Sequence, residues 1–320
     1  MDTEGRHRSS TTLGTSSSSA MAAMGLGGSR TRRSFIKGVL AGAIGGASLG
    51  AGTAVALESG ILRGNSSNNA TLTWSDEFDG PSGAPPNPAI WSAVVNGAGN
   101  GNQELEYYIP SASALDGNGN LVITANRDSG TYQAWYGPSR FTSGEIRTQG
   151  RLAFRYGRLE VRAAFPSAGQ SGAWPAIWLL GTNYNNVGWP ACGEIDVFES
   201  FGRDLSTTQI SAAVHSSGGS KSQLRKFSPA HDASQFHVYT LDWQPKSIEI
   251  GVDGHTYFVV KKGDLSVWPF SQPYFLILNL AIGGTEGGNV SDAATMPYIA
   301  RFDYVRLYGG ELYRATGPVG

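Results

Sequence analysis

From residue 72 onward, apolar and polar residues alternate in short runs separated by Gly, Pro, Asn and Asp. The runs 121–125, 151–156, 158–163, 237–243, 247–253 and 274–280 keep a period of two. In an extended chain that period puts every second side chain on one face, so each run predicts a strand with one face in a core. Asp253-Gly254 stands between two such runs. Both residue types tolerate positive φ, so the pair predicts a two-residue hairpin turn. No run shows the 3.6 period of a long amphipathic helix. Strands are expected from about residue 72 to about residue 308 without a break in composition, and no internal repeat interrupts them. One all-β domain built as a two-sheet sandwich follows.

Residues 1–56 show no such pattern. Residues 9–29 are mostly Ser, Thr, Ala and Gly with almost no apolar periodicity, a composition that cannot bury a core. Thr31-Arg-Arg-Ser-Phe-Ile-Lys37 comes next, then a weakly apolar run rich in Gly and Ala that ends Ala54-Val55-Ala56. Paired arginines, an apolar stretch and small residues at a cleavage site resemble a bacterial twin-arginine export signal. The expected organisation is a signal region at 1–56, a polar linker at 57–71, the β domain at 72–309 and a tail at 310–320.

Composition narrows the partners. The formal net charge is −1, and the six basic and two acidic residues before position 57 leave the remainder at −5. A mildly acidic body lacks the basic surface that nucleic acid requires, and nothing points to a protein partner. Aromatics reach 11% while charged residues are only 15%, a balance that favours core and stacking surface. Cys192 is the single cysteine, which excludes an intrachain disulfide and a thiolate metal cage.

The chemistry concentrates in Glu194-Ile-Asp-Val-Phe-Glu199. Its apolar members mark a strand, in which Glu194 and Asp196 share a face. Glu199 has the wrong parity, and a one-residue β-bulge around residues 197–198 restores it. The two glutamates then sit like i and i+4, with Cα atoms about 13 Å apart. Side chains leaning together close much of that gap, compatible with the ~5–5.5 Å carboxyl separation of a retaining glycosidase. Clustered carboxylates repel, which raises the pKa of at least one and suits it to general acid work. Alone, the six residues leave three readings open: catalytic acids, solvated acids on an exposed strand face, or a cation site. Trp174, Trp178 and Trp189 stand close before them in sequence and offer the flat faces on which sugar rings stack. His215 is placed to hydrogen-bond a carboxylate or a substrate.

These residues resemble glycoside hydrolase family 16, in its laminarinase-like branch, where Glu-Ile-Asp-x-x-Glu is the signature. Segments 74–80, 101–108, 156–162, 174–181, 236–243, 278–284 and 302–308 fit the family in order. The resemblance implies a β-jelly roll of two curved antiparallel sheets with a substrate cleft on the concave face. It implies Glu194 as nucleophile, Glu199 as acid/base and Asp196 as the assisting carboxylate. It places Asn102, Trp174, Trp178, Trp189 and His215 along the subsites of a β-glucan polysaccharide. It implies no cofactor for catalysis. Many members hold one structural Ca²⁺, for which Glu77 and Asp303 stand at ligand positions. Thr285-Glu286 replaces the tryptophan that often follows the paired glycines, which bears on substrate preference. The expected activity is endo-hydrolysis of β-1,3-glucan. Other family specificities (mixed-linkage glucan, agarose, carrageenan, transglycosylation) and a non-catalytic glucan-binding protein are the alternatives.

Overall fold

A computed structural model describes residues 70–166, 170–203, 209–226 and 232–314. The signal region expected at 1–56, nearly all of the linker and the end of the tail lie outside the described residues.

The strand runs of the sequence form strands at Leu121–Arg127, Leu152–Arg155, Gly157–Ala164, His237–Gln244, Ser247–Val252 and Tyr274–Ile282. They assemble into two large sheets. The outer sheet runs from His255–Lys261 through Ser247–Val252, His237–Gln244, Gly157–Ala164, Tyr298–Tyr308 and Leu121–Arg127 to Phe141–Ser143 and Glu106–Tyr108. The inner sheet runs Gly219–Lys226, Gln209–Ser216, Glu194–Glu199, Ala173–Gly181, Tyr274–Ile282, Leu152–Arg155, Glu311–Arg314. Neighbouring strands are antiparallel, apart from the parallel pair Glu106–Tyr108 and Phe141–Ser143. The two α-helices of the described residues, Tyr184–Val187 and Gly284–Gly287, are single turns, and the three 3-10 helices have three residues each. This is the jelly-roll sandwich expected.

Alternation along each strand fills the space between the sheets. Leu159, Val161, Tyr239, Leu241, Trp243, Phe302, Val305 and Leu307 come from the outer sheet, and Ile177, Leu179, Ile195, Leu276, Leu278 and Leu280 from the inner one. The hairpin at Asp253-Gly254 forms as the sequence indicates, with φ of 49° and 77°. One boundary needs correction. Residues expected to be tail contribute the strand Glu311–Arg314, which pairs with Leu152–Arg155 along the inner sheet's edge. Glu311 also meets Arg155 at 2.6 Å. Four residues of alternation are too short a pattern to stand out from a tail in sequence.

Candidate active site

The strand Glu194–Glu199 is central in the inner sheet, between Ala173–Gly181 and Gln209–Ser216. Both neighbours register the bulge. Asp196 lies opposite Ala213 and Glu199 opposite Ser211, so three steps on the acid strand match two on its partner. On the other side Trp178 faces Asp196 while Ile177 faces Phe198. The side chains give the reason. Ile195, Val197 and Phe198 all enter the core, so two successive residues point inward. Phe198 stacks on Phe165 at 4.0 Å between ring centroids and lies 4.6 Å from Tyr239. The doubled inward turn carries Glu199 back to the face of Glu194 and Asp196.

That face turns away from the core, yet Glu194 and Asp196 are only 3% exposed and Trp174 only 6%. It is therefore recessed, a cleft. Trp174 Nε1 donates to Glu199 Oε1 at 3.1 Å. His215, opposite Glu194 in the ladder, places Nε2 3.1 Å from Asp196 Oδ2. The His215 ring lies 6.0 Å from that of Trp189, and its Nδ1 is 2.9 Å from Ser220 Oγ. Trp178 Nε1 donates to Asn279 Oδ1 at 2.9 Å. Cys192 is buried with Leu180, Phe275 and Ile277 beneath Trp178 and Trp189, a structural thiol.

Burial, with the Asp196 charge and then the Glu194 charge beside it, pushes the Glu199 carboxyl up to about 8. His215 and the Trp174 N–H oppose that rise. Glu199 is therefore held toward its protonated form at neutral pH, the state from which a carboxyl group can donate, on the face it shares with Glu194 and Asp196. Donor atoms of Glu194, Asp196 and His215 lie within 4.8 Å of one another, the one grouping of three metal-type donors among the described residues.

Asn102 reaches the cleft through a network absent from the sequence expectations. Asn102 Nδ2 and Asn100 Nδ2 donate to the Glu104 carboxylate at 3.2 and 2.9 Å. Tyr108 Oη donates to Glu104 at 3.4 Å and accepts from Asn279 Nδ2 at 3.1 Å, which leads to Trp178. Glu106 Oε2 accepts the Ile282 N–H at 2.6 Å. Burial and the neighbouring Glu104 charge hold the Glu106 carboxyl well above the usual range. Two signals were available in sequence: Glu104, Glu106 and Tyr108 alternate at period two, and Asn279 is the polar exception in a strand of nine buried residues.

The residues expected at a calcium do not fit one. Glu77 takes the Arg306 guanidinium through both oxygens, at 3.0 and 2.7 Å. Asp303 pairs with Arg162. Each carboxylate already faces a fixed cation, and a dication beside two guanidinium groups would be repelled. The positions were inferred from resemblance, and long-range arginine partners do not show in the local sequence.

Residues 103–306 match the family described as Glycosyl hydrolases family 16. A β-glucanase of Rhodothermus marinus is 37% identical over 253 residues, covering 74% of this chain and 84% of that protein. A keratan-sulfate endo-1,4-β-galactosidase of Sphingobacterium multivorum is 32% identical over 246 residues, covering 74% of this chain and about half, 54%, of that protein. The solved laminarinase catalytic domain of Thermotoga maritima MSB8 is similar with a TM-score of 0.68 and 35% identity, covering 75% of this chain and 98% of that one.

Proposed function

The chain belongs to glycosyl hydrolase family 16, and on that premise we propose that it is an exported, retaining endo-hydrolase of β-1,3-glucosidic linkages. The carrying observation is the bulge that brings Glu199 onto the face of Glu194 and Asp196, where burial and their charges push its carboxyl up to about 8. In the first step a Glu194 oxygen attacks the anomeric carbon. The bond to the leaving oxygen breaks as Glu199 gives that oxygen its proton, leaving a glycosyl ester on Glu194. In the second step Glu199, now a carboxylate, takes a proton from water. The water oxygen displaces Glu194 from the anomeric carbon, and two inversions retain the β configuration. Asp196, tied to His215 at 3.1 Å, sets the field between the two glutamates. The carboxyl groups carry this chemistry without a cofactor.

The linkage is drawn from the relatives named as β-glucanase and laminarinase. A second reading, another specificity of the same family, is favoured by one feature. Where a tryptophan often follows the glycine pair, Glu286 stands instead, paired with Arg203 at 2.5 Å. That pair lies beside Phe201, which touches Trp174, so charge replaces a stacking ring near the acid/base. The test is reducing-sugar release from laminarin, lichenan, agarose and carrageenan in parallel, with proton NMR of the first anomer. Laminarin cleaved fastest with a β product, and turnover lost in Glu194→Gln by a factor on the order of 10⁵, supports the proposal. An α product rejects retention, and preference for another polymer rejects the linkage. Export is tested by fusing residues 1–56 to a reporter. It should leave the cytoplasm only where a twin-arginine translocase is present, and Arg32→Lys with Arg33→Lys should hold it back.

A further inference from the structure

Trp135 is the largest side chain among the exposed hydrophobics, with 51% of its surface in solvent. It stands at a hairpin tip. Gln133 pairs with Pro138 and Ala134 with Gly137, which leaves Trp135 and Tyr136 as the two turn residues. Two-residue turns favour Gly, Asn and Asp for their backbone freedom. An indole and a phenol at these positions contribute nothing to turn chemistry, so some other use keeps them there.

Both rings are fixed rather than loose. Trp135 Nε1 donates to the Glu104 carbonyl at 2.7 Å, and its backbone N–H to Gly97 at 2.8 Å. Tyr136 Oη donates to the next carbonyl, Leu105, at 2.6 Å, and accepts the Arg140 N–H at 3.0 Å. The two rings meet edge to face at 5.4 Å. Gly99 lets the indole settle: a Cβ there would lie 2.6 Å from Trp135 Nε1.

The segment to which the hairpin is tied belongs to the cleft. It contains Asn102 and Glu104, which connect through Tyr108 and Asn279 to Trp178 on the cleft floor. Its backbone is strained. Asn100 and Gln103 have φ of 42° and 61°, left-handed values held by non-glycine residues. Such strain gathers where a surface is shaped for a ligand.

We propose that Trp135 is a stacking platform at the cleft rim, a binding subsite for one pyranose ring of the same β-glucan chain whose linkage is cut at Glu194 and Glu199. The proposal rests on the glucanase reading above. The indole N–H is already satisfied by protein, so the open part of the ring offers an apolar surface, which matches the C–H face of a β-linked sugar. A ring held by its own N–H bond to the Glu104 carbonyl and by the edge of Tyr136 loses little freedom when the sugar binds. Continuity with Asn102 through Glu104 selects the substrate chain as occupant.

The experiment compares kcat/KM across laminari-oligosaccharides, from trisaccharide to octasaccharide, and on laminarin, for wild type, Trp135→Ala and Trp135→Phe. Dissociation constants for the same sugars are measured in the Glu194→Gln background. The ratio of kcat/KM on the longest to the shortest sugar should fall roughly tenfold in Trp135→Ala, carried by KM, and recover largely in Trp135→Phe. Binding should weaken for the long sugars by the same factor. An equal loss at every length shows that the indole merely holds the segment in place, and overturns the proposal. An unchanged length profile overturns it as well. Wild-type enzyme inactive on all β-1,3-glucans overturns the glucanase reading and this proposal together.

Discussion

On the outer sheet Glu77 meets the Arg306 guanidinium through two hydrogen bonds, and Arg306 in turn lies over the Tyr304 ring. On the opposite sheet Glu199 meets an indole N–H, with the charges of Asp196 and Glu194 close by. The side chain is the same, and the environments drive it apart. Arg306 holds the Glu77 carboxyl below its usual range, while burial and like charge raise Glu199 to about 8. An acid that must give up a proton at neutral pH cannot sit beside a guanidinium, which would strip the proton in advance. The outer strands use arginines to join neighbours, as Arg158 does with Asp242 and Glu160 and Arg162 does with Asp303. The strand Glu194–Glu199 has an indole N–H and an imidazole as partners of its acids and no guanidinium among these contacts.

Removing Glu199 is the largest break in that comparison. Glu199→Gln should lower kcat/KM on laminarin by about 10³-fold, the scale of general acid catalysis. In wild type kcat/KM should fall as pH rises through about 8, where Glu199 loses its proton. Glu199→Gln should lack that limb. The folded pKa is raised, so between the unfolded value of 4.5 and about 8 the folded state binds more protons. Stability is fully present below 4.5 and declines as pH rises to about 8. Urea denaturation across that window should show a shallower decline for Glu199→Gln, and an identical decline would refute the raised pKa.

Phe198 tests how the cleft face is made. Phe198→Ala removes a ring from the stack with Phe165 and Tyr239 and should cost ~3–5 kcal/mol in urea denaturation. Without that anchor the second inward residue loses its reason to face the core, and activity should fall further than stability alone explains. A variant destabilised to this degree but fully active where it is folded would show that the bulge holds without Phe198.

Much of this was legible because it is local. Six consecutive residues carry both the acids and the apolar positions that face the core, and the parity of Glu199 alone demanded the bulge. The hairpin at Asp253-Gly254 was legible for the same reason. Glu104, Glu106 and Asn279 were not singled out, because their meeting depends on strands far apart in sequence. The same distance hid Arg306 from Glu77 and Arg162 from Asp303, so a ligand role was expected where ion pairs stand. The strand Glu311–Arg314 escaped because its pairing with Leu152–Arg155, and not its own pattern, makes it a strand.

Trp174→Phe sharpens the contrast by a smaller amount. The indole N–H lowers the Glu199 pKa against the dominant burial effect. Removing it keeps an aromatic ring in place and leaves Glu199 with one donor fewer. The alkaline limb of kcat/KM should move to higher pH, by less than about one unit. A move to lower pH would mean that the N–H does not favour the ionised form.

Glu77→Gln should have the smallest effect. The pair with Arg306 has good fork geometry, yet the Glu77 side chain is 38% and the Arg306 side chain 33% exposed, so water screens it. Exposed pairs contribute ~1 kcal/mol or less. Because the folded pKa of Glu77 is lowered, its contribution is present above the usual value of 4.5 and disappears as pH falls through the lower folded value. The difference between wild type and Glu77→Gln in urea denaturation should therefore vanish in acid and shrink in high salt at neutral pH. Its kcat should match wild type, since the outer sheet is separated from the cleft by the whole core. A large drop in kcat would mean that the outer ion pair bears on Glu199 after all, and the division of labour between the two sheets would fail.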